Sequence, residues 1–329
     1  MRSPRFWYHP KPNALRDMAL APLGRIYAKG TARRLASERG YRPDVPVICV
    51  GNINVGGTGK TPTTIAIIQH LQSRGKTPVV VSRGYGGSLE GPIKVDPIAH
   101  SADQVGDEPL LISAFCDCVI GKDRAAGAQL AQSLGADVIV LDDGFQNPAV
   151  QKDLSIVVVD ARLGFGNGKV LPAGPLREPL HVGLLRADFV LSIGDSENQA
   201  AFDKKWAHTI GCPHLRGHLD VLQMGMSFEG LRVLAFAGIA HPEKFFTTLK
   251  NEGAELLRCE SLADHQPLSE TLMKRLELEA DSLGAQLVTT EKDAARLPND
   301  FRPKVLTLPV RLKIEDTSAL DAELAKFSL

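Results

Sequence analysis

Residues 45–62 read Val45-Pro46-Val47-Ile48-Cys49-Val50-Gly51-Asn52-Ile53-Asn54-Val55-Gly56-Gly57-Thr58-Gly59-Lys60-Thr61-Pro62, and the rest of the chain is organised around them. The β-branched run 45–50 predicts a buried strand, and a helix is expected from Pro62 to about residue 71. A glycine-rich loop ending in Gly59-Lys60-Thr61 joins them, the arrangement of a phosphate-binding P-loop. In such a loop, successive backbone N–H groups curl around an anion and the helix N-terminus adds partial positive charge. Asn54, Val55, Gly56, Gly57, Thr58 and Gly59 are the expected cradle. Lys60 would reach the outer phosphates, and Thr61 could ligate Mg²⁺. The pattern G-x-x-x-x-G-K-[ST] asks for Gly at position 54, where this chain has Asn54. Asn tolerates positive φ, and Gly56 and Gly57 lie within the loop, so the cradle can still form.

Downstream, strand and helix patterns alternate, which predicts a mostly parallel α/β sheet covered by helices on both faces. Residues 77–82 form the second expected strand and end in Arg83-Gly84-Tyr85-Gly86-Gly87. Ligands of open α/β sheets sit beyond strand C-termini, which places Arg83 and Tyr85 as substrate contacts; a plain glycine turn is the bland reading. Asp107, opening a helix after Gly106, reads first as an N-cap and second as a chemical group. Residues 137–141 run into Asp142-Asp143, the Walker B arrangement, in which a carboxylate beside the P-loop holds Mg²⁺ directly or through water. A Gly/Pro-rich run at 164–179 carries Arg177 and Glu178; Glu178 is either a further carboxylate of the metal and phosphate network or half of a surface ion pair.

At 329 residues with 43% hydrophobic content, the chain suggests two domains. We expect a basic amphipathic segment over 1–44, a P-loop domain over 45–227 and a smaller α/β domain over 228–329. Lys+Arg and Asp+Glu both total 38, yet residues 1–43 hold ten Lys/Arg against Asp17 and Glu38. That is a basic arm on a balanced body, which argues against a nucleic-acid binder. Within the arm Leu15, Met18, Leu23, Ile26 and Tyr27 recur at helical spacing among basic residues, although Pro22 should kink or break the helix. This suits either a helix in the interface of an anionic membrane or an ordinary packed helix. No run approaches the ~18 apolar residues of a membrane span, and no signal-peptide core is evident. Five cysteines without CxxC spacing read as reduced thiols, mostly in the core.

Taken together, the motifs resemble one family, the lipid A 4′-kinases (tetraacyldisaccharide 4′-kinases). The matching pieces are the P-loop with its Asn54, Ser82-Arg83-Gly84-Tyr85-Gly86, Gly106-Asp107-Glu108-Pro109 and Asp142-Asp143-Gly144-Phe145-Gln146. They continue through Gly166-Asn167-Gly168 with residues 171–178, Phe236-Ala237-Gly238-Ile239-Ala240, Asp264-His265 and Thr289-Thr290-Glu291-Lys292-Asp293. The resemblance implies ATP- and Mg²⁺-dependent phosphorylation of the 4′-hydroxyl of an acylated glucosamine disaccharide, at the cytoplasmic face of the inner membrane. It implies Asp107 as general base, His265 orienting it with support from Asp264, Glu178 in the metal network, and Arg83 and Arg177 on the sugar or its phosphate. Two other classes compete: a P-loop switch ATPase or GTPase, and a kinase of a soluble metabolite. Guanine recognition by [NT]-K-x-D is disfavoured, because in Thr290-Glu291-Lys292-Asp293 the lysine falls one place late.

Overall fold

The computed structural model describes residues 4–8, 14–36, 40–223, 225–263, 266–298 and 300–329. Asp264 and His265 lie outside them. Among the described residues, thirteen strands form two sheets. In chain order they are β1 Val47–Gly51, β2 Pro78–Ser82, β3 Ile93–Lys94, β4 Cys118–Ile120, β5 Val138–Asp142, β6 Leu154–Asp160 and β7 Phe189–Ile193. Then come β8 His214–Val221, β9 Arg232–Ala237, β10 Glu255–Ser261, β11 Gln286–Thr290, β12 Val305–Leu308 and β13 Val310–Ile314.

The large sheet has the order β13-β8-β7-β6-β1-β5-β2-β4-β3, parallel except at its two edge pairs. Its central strands are buried on both faces, which is why they read as continuous Val/Ile/Leu runs rather than alternating ones. Ile48, Val50, Val140, Ile156 and Val158 pack into the core on one face; Val47, Cys49, Ile139, Val157 and Val159 pack into the core on the other. Each such side chain contributes about 1.5–3 kcal/mol relative to exposure. The P-loop strand β1 therefore sits at the sheet centre, between β6 and the Walker B-like β5.

The smaller sheet, β10-β9-β11-β12, is parallel, with helices Pro242–Asn251 and Glu270–Leu283 built from its crossovers. The expected run 228–329 is not all in this unit. After Pro309 the chain returns as β13 to pair antiparallel with β8 in the large sheet, and Leu320 and Leu324 of the last helix join the large core. Both covalent connections between the units thus run side by side, tied by Leu222 N–H to the Pro309 carbonyl at 2.9 Å.

The N-terminal helix Ala14–Ala36 passes through Pro22 without ending. Pro22 is on its exposed side, where solvent can take the hydrogen-bond acceptor that the proline leaves unpaired. The helix meets the body through small residues. A Cβ on Gly24 would lie 3.4 Å from the Val170 carbonyl, and the Thr31 hydroxyl donates to the Arg177 carbonyl at 3.2 Å. Its large apolar side chains point the other way, with Leu15 76%, Met18 69% and Ile26 67% exposed. Ordinary packing would bury that stripe.

Candidate active site

Glycine 59 starts the P-loop helix Lys60–Ser73 at φ 96°, and a Cβ there would lie 2.6 Å from Ile193 Cδ1. Only glycine meets both constraints at once. The first turn of that helix has no intrahelical acceptors for its N–H groups, so residues 58–61 present donors to the cleft above the sheet. Asn52 braces the loop from within, donating to Thr58 Oγ1 at 3.0 Å. Asn54 has a different post. It is buried, its side chain donates to the Gly164 carbonyl at 2.9 Å, and its backbone bridges Leu176. With Val55 N–H on the Pro175 carbonyl, Asn54 ties the P-loop to the Gly/Pro-rich run.

Parallel pairing puts Asp142 beside Val50 and Asp143 at the cleft floor. Lys60 Nζ lies 3.8 Å from Asp143 Oδ1, and Arg177 grips the same carboxylate at 2.9 and 3.4 Å. Burial would raise the Asp143 pKa, but Lys60 and Arg177 outweigh it and hold the group below its ordinary value. Among the described residues, the Asp142 carboxylate receives the Thr64 and Ser82 hydroxyls, at 3.4 and 3.2 Å. Arg124 bonds its backbone carbonyl at 3.0 Å and that of Val81 at 2.8 Å, joining β5 to β2. Burial, then Glu108 and Asp143, push the Asp142 pKa up to about 6, against Lys60 and Arg124. A buried carboxylate with too little positive charge beside it, lining the same cavity as Thr61 at the helix start, fits a divalent cation.

This has a stability consequence. Because the folded value is raised, the extra stability of protonated Asp142 is present below pH ~4 and is lost as pH rises through about 6. Asp142→Asn removes the ionisation, so in nucleotide-free protein the variant should gain on the wild type, by roughly 3 kcal/mol between pH 4 and pH 8. Thermal unfolding at the two pH values measures it; a pH-independent difference would refute the claim.

A cavity of about 790 Å³ extends from the P-loop. Residues 56–62, Arg83, Tyr85, Asp142, Asp143 and Arg177 line it from the large unit, Ile239, Ala240, His241, Lys244 and Thr290–Lys292 from the smaller, and Tyr27 and Arg34 from the N-terminal helix. Ion pairs cross between the units: Lys244 to Asp160 at 2.6 Å and Lys292 to Glu108 at 3.1 Å. Asp107 is not the cap of its helix. Gly106 takes that place at φ 91°, close against the Tyr85 carbonyl, and Asp107 is the first helical residue, buried behind the cavity lining. Arg296 Nε faces Asp107 Oδ2 at 3.5 Å.

Glu178 is buried but does not line the cavity; Arg186 holds both its oxygens at 2.6–2.7 Å and Gln146 donates to it at 2.9 Å. These contacts tie Glu178 to Gln146, which Arg177 also touches at 3.3 Å. Asp293 is fully buried, accepting from Gly238 N–H and the Thr290 hydroxyl, so it cannot read guanine. The cysteines are all free; Cys49 and Cys118 are buried, and burial pushes the Cys49 thiol up to about 11. Glu108, Arg124, Lys292 and Arg296 were not legible as site residues, since their partners lie far away in sequence. Among the described residues no helix is long and apolar enough to cross a membrane.

With the site laid out, comparison with known proteins is direct. A sequence model of the family described as tetraacyldisaccharide-1-P 4′-kinase (LpxK) matches residues 16–328. The tetraacyldisaccharide 4′-kinase of Dinoroseobacter shibae is 59% identical over 327 residues, 98% of this chain and 97% of its own. That of Rhodospirillum rubrum is 45% identical over 323 residues, 98% and 96% of the two chains. A crystal structure of the "apo" form of LpxK from Aquifex aeolicus in complex with ATP matches with TM-score 0.76 at 27% identity, covering 95% of this chain and 99% of that one.

Proposed function

The chain belongs to the tetraacyldisaccharide-1-P 4′-kinase family, and we infer from this that it transfers the γ-phosphoryl group of ATP to the 4′-hydroxyl of an acylated glucosamine disaccharide 1-phosphate, a step of lipid A assembly. We further propose how the residues divide the work. Lys60 and the amides of residues 56–61 hold the β- and γ-phosphates. Thr61, Asp142 and Asp143 hold Mg²⁺, which when bound neutralises charge on the transferring group. Arg177 keeps Asp143 in place, and with Arg83 and Tyr85 it faces the incoming sugar. Asp107 accepts the hydroxyl proton as the 4′-oxygen bonds to phosphorus and the bond from phosphorus to the β,γ-bridging oxygen breaks. His265, with Asp264, orients Asp107 from the smaller unit, and approach of that unit completes the site.

The observation that carries a lipid acceptor over a soluble one is that the P-loop shares its cavity with Tyr27 and Arg34 of the N-terminal helix. That helix turns Leu15, Met18 and Ile26 away from the body among basic residues. We propose that it docks on the anionic cytoplasmic face of the inner membrane and delivers the lipid headgroup to the cleft.

The test is transfer of labelled phosphate from ATP to the disaccharide precursor in detergent micelles. ATP hydrolysis without transfer would favour a switch ATPase, and equal transfer to a free sugar would favour a soluble-metabolite kinase. In the same experiment, glutamate at Leu15, Met18 and Ile26 together should abolish sedimentation with phosphatidylglycerol vesicles while micellar turnover stays within about twofold. Undiminished sedimentation would remove the docking role.

A further inference from the structure

Three stretches of the smaller unit, Phe236–Ala240, Ala263 with Gln266, and Thr289–Asp293, are brought together by the fold. In the structure they converge on one side chain, Arg296. Its Nη2 pairs with Asp293 Oδ1, and its Nη1 donates to the Gln266 carbonyl at 2.9 Å. Asp293 is itself fixed by Gly238 N–H at 3.0 Å and the Thr290 hydroxyl at 2.7 Å. A Cβ on Gly238 would lie 2.7 Å from Arg296 Nη2, so glycine there makes room for the guanidinium. Gln266 is in turn tied to Ala263, its N–H on the Ala263 carbonyl and Ala263 N–H on Gln266 Oε1, both at 2.9 Å.

One edge of the guanidinium is left over. Arg296 Nε is buried and, among the described residues, has no hydrogen-bond partner, yet it faces Asp107 Oδ2 at 3.5 Å across the boundary between the units. The side chain is only 7% exposed. At that distance the contact is an ion pair and not yet a hydrogen bond; an approach of about half an ångström would make it one. A buried donor without an acceptor is costly, so closure of the units is favoured by this contact. A guanidinium suits the place because its planar fork offers five donors in fixed directions, here along three edges to three chain segments.

We propose that Arg296 is a positioning residue for phosphoryl transfer: clamped by Asp293, it fixes the rotation of the Asp107 carboxylate and sets its distance from Gln266. Asp264 and His265 lie between Ala263 and Gln266 in the sequence. The inference rests on Asp107 as the general base, so the test must separate the two. Arg296→Gln and Arg296→Lys are each made in the wild-type and the Asp107→Asn backgrounds, and transfer rates are measured in micelles. Arg296→Lys keeps a cation beside buried Asp293 and so keeps the fold, which thermal unfolding checks, but an ammonium cannot span all three partners.

In the wild-type background each substitution should lower kcat roughly 10- to 100-fold, the range for residues coupled in one network, with the KM for ATP within about twofold. In the Asp107→Asn background it should cost nothing further. Equal fold losses in both backgrounds would make Arg296 merely structural and overturn the proposal while leaving Asp107 as base. Wild-type turnover in Arg296→Lys would overturn it as well. Wild-type turnover in Asp107→Asn would remove the base and this inference together.

Discussion

Asp107→Asn is expected to lower kcat for transfer to the 4′-hydroxyl by roughly 10²- to 10⁴-fold, the usual weight of a general base, with the KM for ATP changed by less than about threefold. A sugar hydroxyl is a poor nucleophile, so its proton must leave as the new bond forms. The amide has the carboxylate's shape and can still accept a hydrogen bond, but it cannot take the proton. The effect should fall on kcat because Asp107 stands apart from the phosphate cradle, one residue behind Glu108 in the cavity wall. Loss of fold is not the expected cause. Arg296 keeps its pairing with Asp293 when Asp107 is neutralised, so no buried cation is stranded. Thermal unfolding should therefore move little. Turnover within a few-fold of wild type, in protein with an unchanged unfolding midpoint, would remove Asp107 from the proton transfer.

The sequence was most informative where physics is local. Residues 47–51, 138–142 and 154–160 are strands because β-branched runs buried on both faces have few alternatives, and the P-loop follows from its own glycines. What escaped was set by distant partners. β8 alternates apolar Leu215, Leu219 and Val221 with polar residues, a period-two signal open to reading, but its place was fixed only by pairing with β13. β10 is an exposed edge with little apolar patterning. Glu178 is held by Arg186, a partner that composition does not name. The Asn54 departure is explained by contacts 110 and 122 residues away, at Gly164 and Leu176. Asp107 and Arg296, nearly 190 positions apart, meet only because the smaller unit folds back over the large sheet.

Lys60→Met should be the costliest substitution in the nucleotide half of the site, lowering kcat/KM for ATP by roughly 10³-fold or more at pH 8. Its ammonium is the one P-loop cation in the cleft, and the side chain is 13% exposed, so water screens it poorly. Removing it takes away the charge that meets the outer phosphates and leaves Asp143 with Arg177 and the more distant Arg124. A second effect has a definite sign. Lys60 is the first of the cations that lower the Asp142 pKa toward about 6, so without it that value rises further. More of Asp142 is then protonated at neutral pH and unable to hold a cation. The deficit of Lys60→Met relative to wild type should accordingly be larger at pH 6.5 than at pH 8.5. Lys60→Arg keeps the charge and should lose activity without that added pH dependence. Measuring kcat/KM for all three proteins across this range separates the two contributions. A deficit in Lys60→Met that is flat with pH would show that Lys60 serves the phosphates only and does not tune Asp142.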